Sequence, residues 1–278
     1  MKKLIVDSGS TKADWLLVDS GKVAGAVSVR GMNPFQRTAD EIAAEIRAAV
    51  VPEFGGGIAE IWFYGAGVTG AGVATVRQAL ADVFPRANRI ETESDLVGAA
   101  RALFGDTAGI ACILGTGSNS ALYDGGALAA QIPPLGFILG DECSGAVLGR
   151  TLLADCLKKQ MPEKLRTLFI KEYNVELDAV LQNVYRNPQP NRYLASFAPF
   201  LTAHLDEAYC TELVRDSFRQ FARRNILPLP DAQKYPLGFV GSIAWHLGSI
   251  IRREAVNMGF GAPVIIRTPG MALAEYHR

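Results

Sequence analysis

Residues 4–19, LIVDSGSTKADWLLVD, decide the fold prediction for this chain. Apolar runs flank a hexapeptide, DSGSTK, that begins at Asp7, so two β-strands joined by a small-residue loop are predicted. Small residues let backbone N–H groups approach an anion, and Ser10, Thr11 and Lys12 add side-chain donors for phosphate oxygens, while Asp7 is suited to hold a hydrated Mg²⁺. Taken alone, the pattern favours an ordinary β-hairpin turn over an anion-binding loop.

A second loop of the same kind lies at residues 114–119, LGTGSN, between β-like runs at 110–114 and 119–123. Gly115, Thr116 and Gly117 offer backbone N–H groups and a hydroxyl there. Neither loop fits the GxxxxGK[ST] pattern, and neither opens a helix as a dinucleotide fingerprint does. The mononucleotide P-loop and dinucleotide classes are therefore disfavoured, while two such loops at equivalent places favour anion binding over two plain hairpin turns.

Each loop opens a β-rich segment. Three strands at 3–7, 13–19 and 22–30 precede alternating helices and strands, and a similar order restarts after Gly105. This order predicts an α/β protein with mixed sheets and helices on their faces. We expect two related lobes, residues 1–105 plus about 269–278 and residues 106–268, with a helical insertion at about 151–228 in the second lobe.

Composition places the 278-residue chain among ordinary globular proteins, with 49% hydrophobic and 20% charged residues. Lys+Arg and Asp+Glu balance at 28 each, and no basic stripe collects, so we expect no nucleic acid partner. No apolar run approaches membrane-spanning length, and the start MKKLIVDSGS has too few apolar residues for a signal peptide. A cytoplasmic protein with no membrane partner is expected.

The metal-binding residue types are scattered. The four cysteines, Cys112, Cys143, Cys156 and Cys210, form no CxxC pair, and the three histidines lack metal-ligand spacing. Reduced, structural thiols are predicted.

Two carboxylates are predicted at helix starts. Asp95 begins the run DLVGAA just after a strand, and Asp141 lies in GFILGDECSG before a helix. A carboxylate at such a place can simply cap the helix or complement its dipole. A purely structural role is therefore the alternative to a chemical one for both residues.

Four of these segments together resemble the N-acetylglucosamine kinase-like family of the actin, hexokinase and heat-shock ATPase superfamily. They are DSGST at 7–11, GTGSN at 115–119, GDECSG at 140–145 and FVGSIAWH at 239–246. The resemblance spans nearly the whole chain, although the middle helices match only in general character. It implies a two-lobed actin-like ATPase fold, ribonuclease H-like, with mixed five-stranded sheets, and an enzyme that binds ATP and Mg²⁺ and phosphorylates a small sugar.

The resemblance also implies residue roles. The aspartate at the place of Asp95 is the general base in that family, and the glycine and alanines after it keep its helix close to the second loop. The residues implied in sugar binding are Asn33, Asp95, Ser118, Asn119, Gly136 and Asp141. Gly241 and Ser242 match an adenosine loop, where a side chain at the glycine would collide with the nucleoside. Asn33 is nearly as compatible with a plain turn.

Departures from the family pattern leave the acceptor open. Ser8 and Ser10 stand where such kinases often carry glycine, and residues 268–272 are not the usual small-residue last helix. N-acetylglucosamine and glucosamine are both compatible, and so is a homodimer.

Three other functions remain open. An activator ATPase of acyl-CoA dehydratases would hold an iron–sulfur cluster through cysteines, which Cys112 within a predicted strand and the isolated Cys143 disfavour. A kinase-like sugar sensor carries a helix-turn-helix ahead of the first strand, and here that strand begins at about residue 3. The last alternative is a degenerate protein that binds ATP or sugar without catalysis.

Overall fold

The computed structural model describes all of residues 1–278. The chain forms two compact units. Unit 1 comprises Met1–Thr107, Tyr123–Ala127 and Thr268–Arg278, and unit 2 comprises Ala108–Leu122 and Leu128–Arg267. None of the helices has the length and apolar character needed to cross a lipid bilayer.

Ten strands and fourteen α-helices make up the fold. The strands are β1 Lys2–Ser8, β2 Lys12–Asp19, β3 Lys22–Arg30, β4 Ile58–Gly65, β5 Arg89–Ser94, β6 Gly109–Leu114, β7 Ser118–Tyr123, β8 Leu128–Gln131, β9 Leu237–Val240 and β10 Val264–Ile266. The helices are α1 Ala39–Glu45, α2 Val51–Phe54, α3 Ala71–Val83, α4 Asp95–Phe104, α5 Gly136–Leu139, α6 Gly145–Leu157, α7 Glu163–Tyr173, α8 Leu177–Tyr185, α9 Pro190–Ala195, α10 Ala198–Ala203, α11 Ala208–Phe221, α12 Ser242–His246, α13 Gly248–Asn257 and α14 Gly270–Tyr276.

The sheet of unit 1 has the order β3-β2-β1-β4-β5. β1 pairs antiparallel with β2, and β2 with β3, whereas β1, β4 and β5 run parallel. Unit 2 has a second five-stranded sheet, β10-β9-β6-β7-β8, in which β6, β9 and β10 are parallel. The predicted pair of mixed five-stranded sheets with flanking helices is confirmed.

The two faces of the unit 1 sheet differ because successive side chains of a strand point to opposite faces. Val6, Trp15 and Phe63 belong to the core under α1 and α3. The opposite face carries Leu16 and Tyr64, and it is covered by α4 and α14. Asp7, Lys12 and Asp14 alternate with core residues and therefore lie on this second face.

Unit 2 has its own core, built on an aromatic cluster between its helices. Phe169 packs edge-on against Phe200, with ring centroids 4.9 Å apart, and contacts Tyr173 and Phe197 as well. Phe218 and Phe221 of α11 approach Phe239 of β9, which joins the helices to the sheet. After β9, α12 and α13 follow in succession and are separated only by Leu247.

The last residues of the chain dock on unit 1. The His277 ring stacks on Trp62 at 4.0 Å, and its Nε2 lies 2.7 Å from the Tyr64 hydroxyl, which also accepts a hydrogen bond from Arg101. The Lys3 ammonium donates to the His277 carbonyl at 3.0 Å. Burial and the neighbouring cations lower the pKa of His277 to about 4, so its ring is neutral at pH 7.

Candidate active site

The first predicted loop is the turn of the β1–β2 hairpin, and the end of β3 holds it in place. The Gly9 N–H donates to the Lys12 carbonyl at 2.9 Å, and the Gly31 N–H donates to the Thr11 carbonyl at 3.0 Å. Gly31 has to be a glycine, because a Cβ there would lie 2.3 Å from the Gly9 carbonyl oxygen. The Thr11 and Lys12 side chains are exposed. A hairpin turn and an anion-binding role are therefore compatible.

Asn33 bridges this loop to the segment that follows β3. Its amide group donates to the Ser10 hydroxyl at 3.0 Å, and its Oδ1 accepts the Phe35 N–H at 2.9 Å. A Cβ on Gly67 would lie 2.4 Å from the same Oδ1, so this glycine makes room for the bridge. The buried Asn33 side chain keeps one N–H and one acceptor position for a ligand.

Three carboxylates collect near the first loop. Asp7 of β1 pairs in register with Asp14 of β2, and directly opposed residues share one face of a sheet. Burial raises the pKa of Asp7 to about 7; the Asp95 and Asp14 carboxylates raise it as well, and Lys12 lowers it. Ser8, Gly65 and Ser94 are aligned in register at the ends of β1, β4 and β5, so Asp7 and Asp95 lie at the same edge of the unit 1 sheet.

Asp95 is the first residue of α4, immediately after β5. The alternative that Asp95 caps this helix is wrong, because Ser94 is the N-cap and its hydroxyl accepts the Val97 N–H at 3.3 Å. Burial raises the pKa of Asp95 to about 6, and N–H groups of Leu96 and Asp95 itself oppose that rise. A carboxylate in this state is ionised at pH 7 and still basic enough to accept a proton.

Gly98, one turn into α4, brings this helix against the sheet. A Cβ on Gly98 would lie 2.8 Å from Cβ of Tyr64 in β4, so only glycine permits this approach. The sequence prediction explained the same glycine by closeness to the second loop. The structure gives a different reason, since the contact is with β4 of the same unit.

Removing the Asp7 charge should stabilise the protein at high pH. The pKa of Asp7 is raised from 3.8 to about 7 on folding, so its favourable contribution is complete below about pH 4 and is lost as pH rises through about 7. Asp7→Asn should therefore raise the free energy of unfolding by about 1–3 kcal/mol near pH 8, and by much less near pH 4. Melting temperatures measured without nucleotide at about pH 4.5, about pH 6 and about pH 8 check this.

Asp124→Asn is the matched control for the Asp7 variant. N–H groups of Ala127 and Gly126 lower the pKa of Asp124, which is the opposite direction. This control should therefore show no gain in stability at high pH. An Asp7→Asn protein no more stable than wild type at high pH would contradict the assigned burial of the Asp7 charge.

The second predicted loop joins β6 to β7 in unit 2. Its carbonyls are occupied by the protein: Gly145 and Ala146, at the start of α6, donate to the carbonyls of Gly115 and Thr116 at 2.8 and 3.1 Å, and Gly115 donates to Gly117 at 3.0 Å. These three carbonyl oxygens therefore repel an anion beside the loop less than free carbonyl oxygens would. A Cβ on Gly115 would have no atom within 4 Å, so the protein leaves open space there.

Asp141 lies against this second loop. A Cβ on Gly117 would lie 2.9 Å from Oδ2 of Asp141, and the Ser118 N–H donates to the carboxylate. Burial raises the pKa of Asp141, and this N–H lowers it in part. Asp141 and Cys143 both have positive φ, 54° and 60°, a conformation that costs about 1–3 kcal/mol at residues other than glycine. Strain of this size is common at binding sites.

The remaining predicted sugar contacts in unit 2 differ in their surroundings. Ser118 is buried, and the Asn119 amide oxygen accepts from the Ser120 N–H at 2.9 Å and from Gln131 at 3.1 Å. Gly136 begins α5 with a φ of 71°, and a Cβ there would have no atom within 4 Å. Of these residues, Ser118 is the one that the structure bonds to Asp141, through its backbone N–H.

Gly241 is explained by the fold itself. A Cβ there would lie 2.2 Å from the Leu114 carbonyl oxygen, and its φ of 126° is rare for any other residue. The sequence prediction attributed this glycine to the space needed by a nucleoside, whereas the close partner is β6. Gly241 precedes α12, whose first residue, Ser242, is exposed.

The structure thus groups the predicted residues in two sets, one in each unit. In unit 1, the Asp95 carboxylate raises the pKa of Asp7, and the Asn33 amide donates to the Ser10 hydroxyl. Unit 2 joins the second loop to Asp141 and to the start of α6. Sequence reasoning missed Asp14. Its only signal was the two-residue spacing from Lys12 on a predicted strand.

No family model and no curated protein sequence matches the chain. Solved structures do match. A protein of Porphyromonas gingivalis described as a proposed N-acetylglucosamine kinase is 44% identical, with a TM-score of 0.95 over 99% of this chain and 98% of that one. A proposed N-acetylglucosamine kinase of Chromobacterium violaceum is 18% identical, with a TM-score of 0.74 over 99% and 98%. A ROK family glucokinase of Streptomyces griseus, solved with glucose and AMPPNP, is 17% identical, with a TM-score of 0.62 over 99% and 98%.

The two sheets and their flanking helices define the actin-like ATPase fold. The two matches below 25% identity support the fold alone. The 44% identity over nearly the full length of both chains also supports membership of the same family. The chain belongs to the N-acetylglucosamine kinase-like family of ATP-dependent phosphotransferases.

Proposed function

We propose that this chain transfers the γ-phosphate of ATP to a hydroxyl of an amino sugar, with N-acetylglucosamine as the preferred acceptor and glucosamine as the alternative. The observation that carries the proposal is the 44% identity, over 99% of the chain, to the Porphyromonas gingivalis protein described as a proposed N-acetylglucosamine kinase. The placement of Asp95 and Asp7 at the same edge of the unit 1 sheet is a second observation in its support.

In the proposed reaction, Asp95 is the general base. The sugar hydroxyl oxygen attacks the γ-phosphorus, the bond from that phosphorus to the ADP oxygen breaks, and the hydroxyl proton passes to the Asp95 carboxylate. Phosphoryl transfer has a loose transition state, so the base mainly orients the hydroxyl and accepts its proton late. A pKa of about 6 suits this role near neutral pH.

Binding roles are divided between the two units. For the phosphates of ATP we propose the two loops, with Ser10, Thr11, Lys12, Gly115, Thr116 and Gly117. For the adenosine we propose Gly241 and Ser242. For the sugar we propose Asn33, Asp95, Ser118, Asn119, Gly136 and Asp141. The carbonyls of the second loop accept hydrogen bonds from the protein, which supports its part, since free carbonyls would repel phosphate. The Gly115 N–H is used within the loop, so Gly115 contributes open space and not a donor.

The residues of unit 1 fit a hydrated Mg²⁺. Asp7 is partly buried, and two further carboxylates raise its pKa, so a cation would relieve this repulsion. No set of three or more side chains converges to ligate a metal directly, so Asp7 would hold the ion through water. When bound, Mg²⁺ would neutralise charge on the β- and γ-phosphates.

The environment of the cysteines weighs against the activator alternative. All four cysteines are buried, and burial raises the pKa of the Cys112 and Cys143 thiols well above their usual range. Cluster ligands are thiolates, which such surroundings disfavour.

ATP consumption measured with a panel of amino sugars and hexoses tests the proposed function. We expect the highest kcat/KM with N-acetylglucosamine, and product analysis should locate the phosphate on a sugar hydroxyl. Turnover with hexoses but not with amino sugars would contradict the proposed acceptor and point to a hexose instead. ATP binding without turnover on any sugar would leave a non-catalytic binding protein.

Asp141→Asn should raise the KM for the sugar by roughly 10- to 100-fold and leave ATP affinity within about twofold, because a charged hydrogen-bond acceptor is lost while the amide oxygen can still accept the Ser118 N–H. Glu142→Gln is the control, since Glu142 is paired with Arg224 at 2.9 Å and with Asn225. Initial rates over sugar and ATP concentrations check both variants. Loss of ATP affinity with an unchanged sugar KM would reverse the assignment.

A further inference from the structure

Asp14 has no role in the proposed reaction, yet it lies at a well-defined place. In β2 it pairs in register with Asp7 of β1 on one side and with Ser28 of β3 on the other. Lys12, two residues earlier on the same strand, shares its face of the sheet. The Lys12 ammonium lies 2.8 Å from Oδ1 of Asp14, and the Ser28 hydroxyl donates to the same oxygen.

Stability does not explain this arrangement. Aspartate is depleted in strands, and like charges directly opposed across two strands destabilise a sheet. Asp14 stands opposite Asp7, so it incurs both costs. The compensation is small, because the side chain of Lys12 is 58% exposed and ion pairs with such exposure contribute little.

Restriction of Lys12 explains it better. A lysine ammonium on its flexible four-carbon stem samples many positions, and it binds phosphate as a point charge. Asp14, itself held by Ser28, keeps the ammonium on the sheet face that carries Asp7. The charge of Lys12 is thereby held on the sheet face next to the first loop before any ligand binds.

We propose that Asp14 is a positioning residue that holds the Lys12 ammonium in place for the phosphates of ATP. This inference rests on the proposed function, in which Lys12 binds ATP. Asp14 acts through Lys12 and does not contact the reacting atoms.

A double-mutant cycle tests the proposal, using wild type, Lys12→Met, Asp14→Asn and the double variant. Each is measured by calorimetric titration with Mg-ATP and by initial rates at saturating sugar. We expect Lys12→Met to weaken ATP binding by roughly 10- to 100-fold, and Asp14→Asn by roughly 3- to 10-fold with kcat within about threefold. In the Lys12→Met background, Asp14→Asn should change ATP affinity by less than about twofold.

Two further variants separate positioning from a general effect of charge. Asp14→Glu should recover most of the ATP affinity, because a carboxylate at this place can still hold the ammonium. Asp19→Asn removes another carboxylate of β2, which pairs with the chain's N-terminal ammonium at 3.5 Å, and should leave ATP affinity unchanged. Melting temperatures of all variants identify any that fail to fold.

Certain outcomes would overturn the proposal. An equal effect of Asp14→Asn with and without Lys12 would place its action on Asp7 or its cation instead. Normal ATP affinity in Asp14→Asn, together with reduced ATP affinity in Lys12→Met, would show that Lys12 binds ATP without being positioned by Asp14. Because the titration does not depend on turnover, failure of the sugar panel would refute the proposed kinase activity and leave this cycle measurable.

Discussion

Asp95→Asn should lower kcat by about 10²- to 10⁴-fold while the protein keeps its fold and binds both substrates. Asparagine is nearly isosteric with aspartate, but its amide cannot accept the proton of the sugar hydroxyl. This loss corresponds to about 3–5 kcal/mol of activation free energy, at about 1.36 kcal/mol per tenfold. Single-turnover rates, with KM for both substrates, measure it on the same preparation that is used for melting.

Ser94→Ala is the matched control, one residue away. It removes the hydroxyl that caps α4 and should cost about 1 kcal/mol of stability, with kcat retained within about threefold. The two neighbours should thus separate completely, with stability lost at Ser94 and turnover lost at Asp95. Turnover of Asp95→Asn within about tenfold of wild type, with normal melting, would remove the central residue from the mechanism.

Gly241→Ala should destabilise unit 2 by about 3 kcal/mol or more. The new Cβ would lie 2.2 Å from the Leu114 carbonyl oxygen, and the φ of 126° is strained for alanine. A decrease of this size should lower the melting temperature by roughly 6–12 °C. Thermal denaturation followed by circular dichroism measures it, without any ligand.

Gly115→Ala tests the other reason for a glycine. Its Cβ would meet no atom within 4 Å. The variant should therefore melt within about 1 °C of wild type. If the second loop binds phosphate, the added methyl group should nevertheless weaken ATP binding, by roughly tenfold. A stable Gly241→Ala protein would contradict the close contact with β6, and unchanged ATP affinity in Gly115→Ala would remove Gly115 from the phosphate site.

Local patterns made part of this structure predictable. The apolar runs on both sides of DSGSTK predict the β1–β2 hairpin. The polar pair Ser94-Asp95, which follows a strand, predicts the start of α4. The alternative role of Asp95 as the N-cap was wrong by one residue, because Ser94 and Asp95 are both good caps. Only the backbone decides between them: Ser94 has extended angles, φ −66° and ψ 154°, and Asp95 is already helical.

Contacts between distant segments were not predictable. The sequence displays Gly98 and Gly241, but not the partners that require them, Tyr64 and Leu114. Asp14 became a candidate only when strand register placed it opposite Asp7. For the two glycines, the missing information is which residues of two distant segments lie opposite each other. For Asp14, it is the register of the hairpin. Single-sequence periodicity contains neither.

The docking of His277 on Trp62 and Tyr64 affects when unit 1 can finish folding during synthesis. A ribosome releases the strands and helices of unit 1 first, then the whole of unit 2, and only then α14. Until that helix emerges, the face of the sheet around Leu16 and Tyr64 lacks part of its cover. Unit 2 can complete its core before α14 is made, whereas this face of the unit 1 sheet gains its full cover only when α14 emerges.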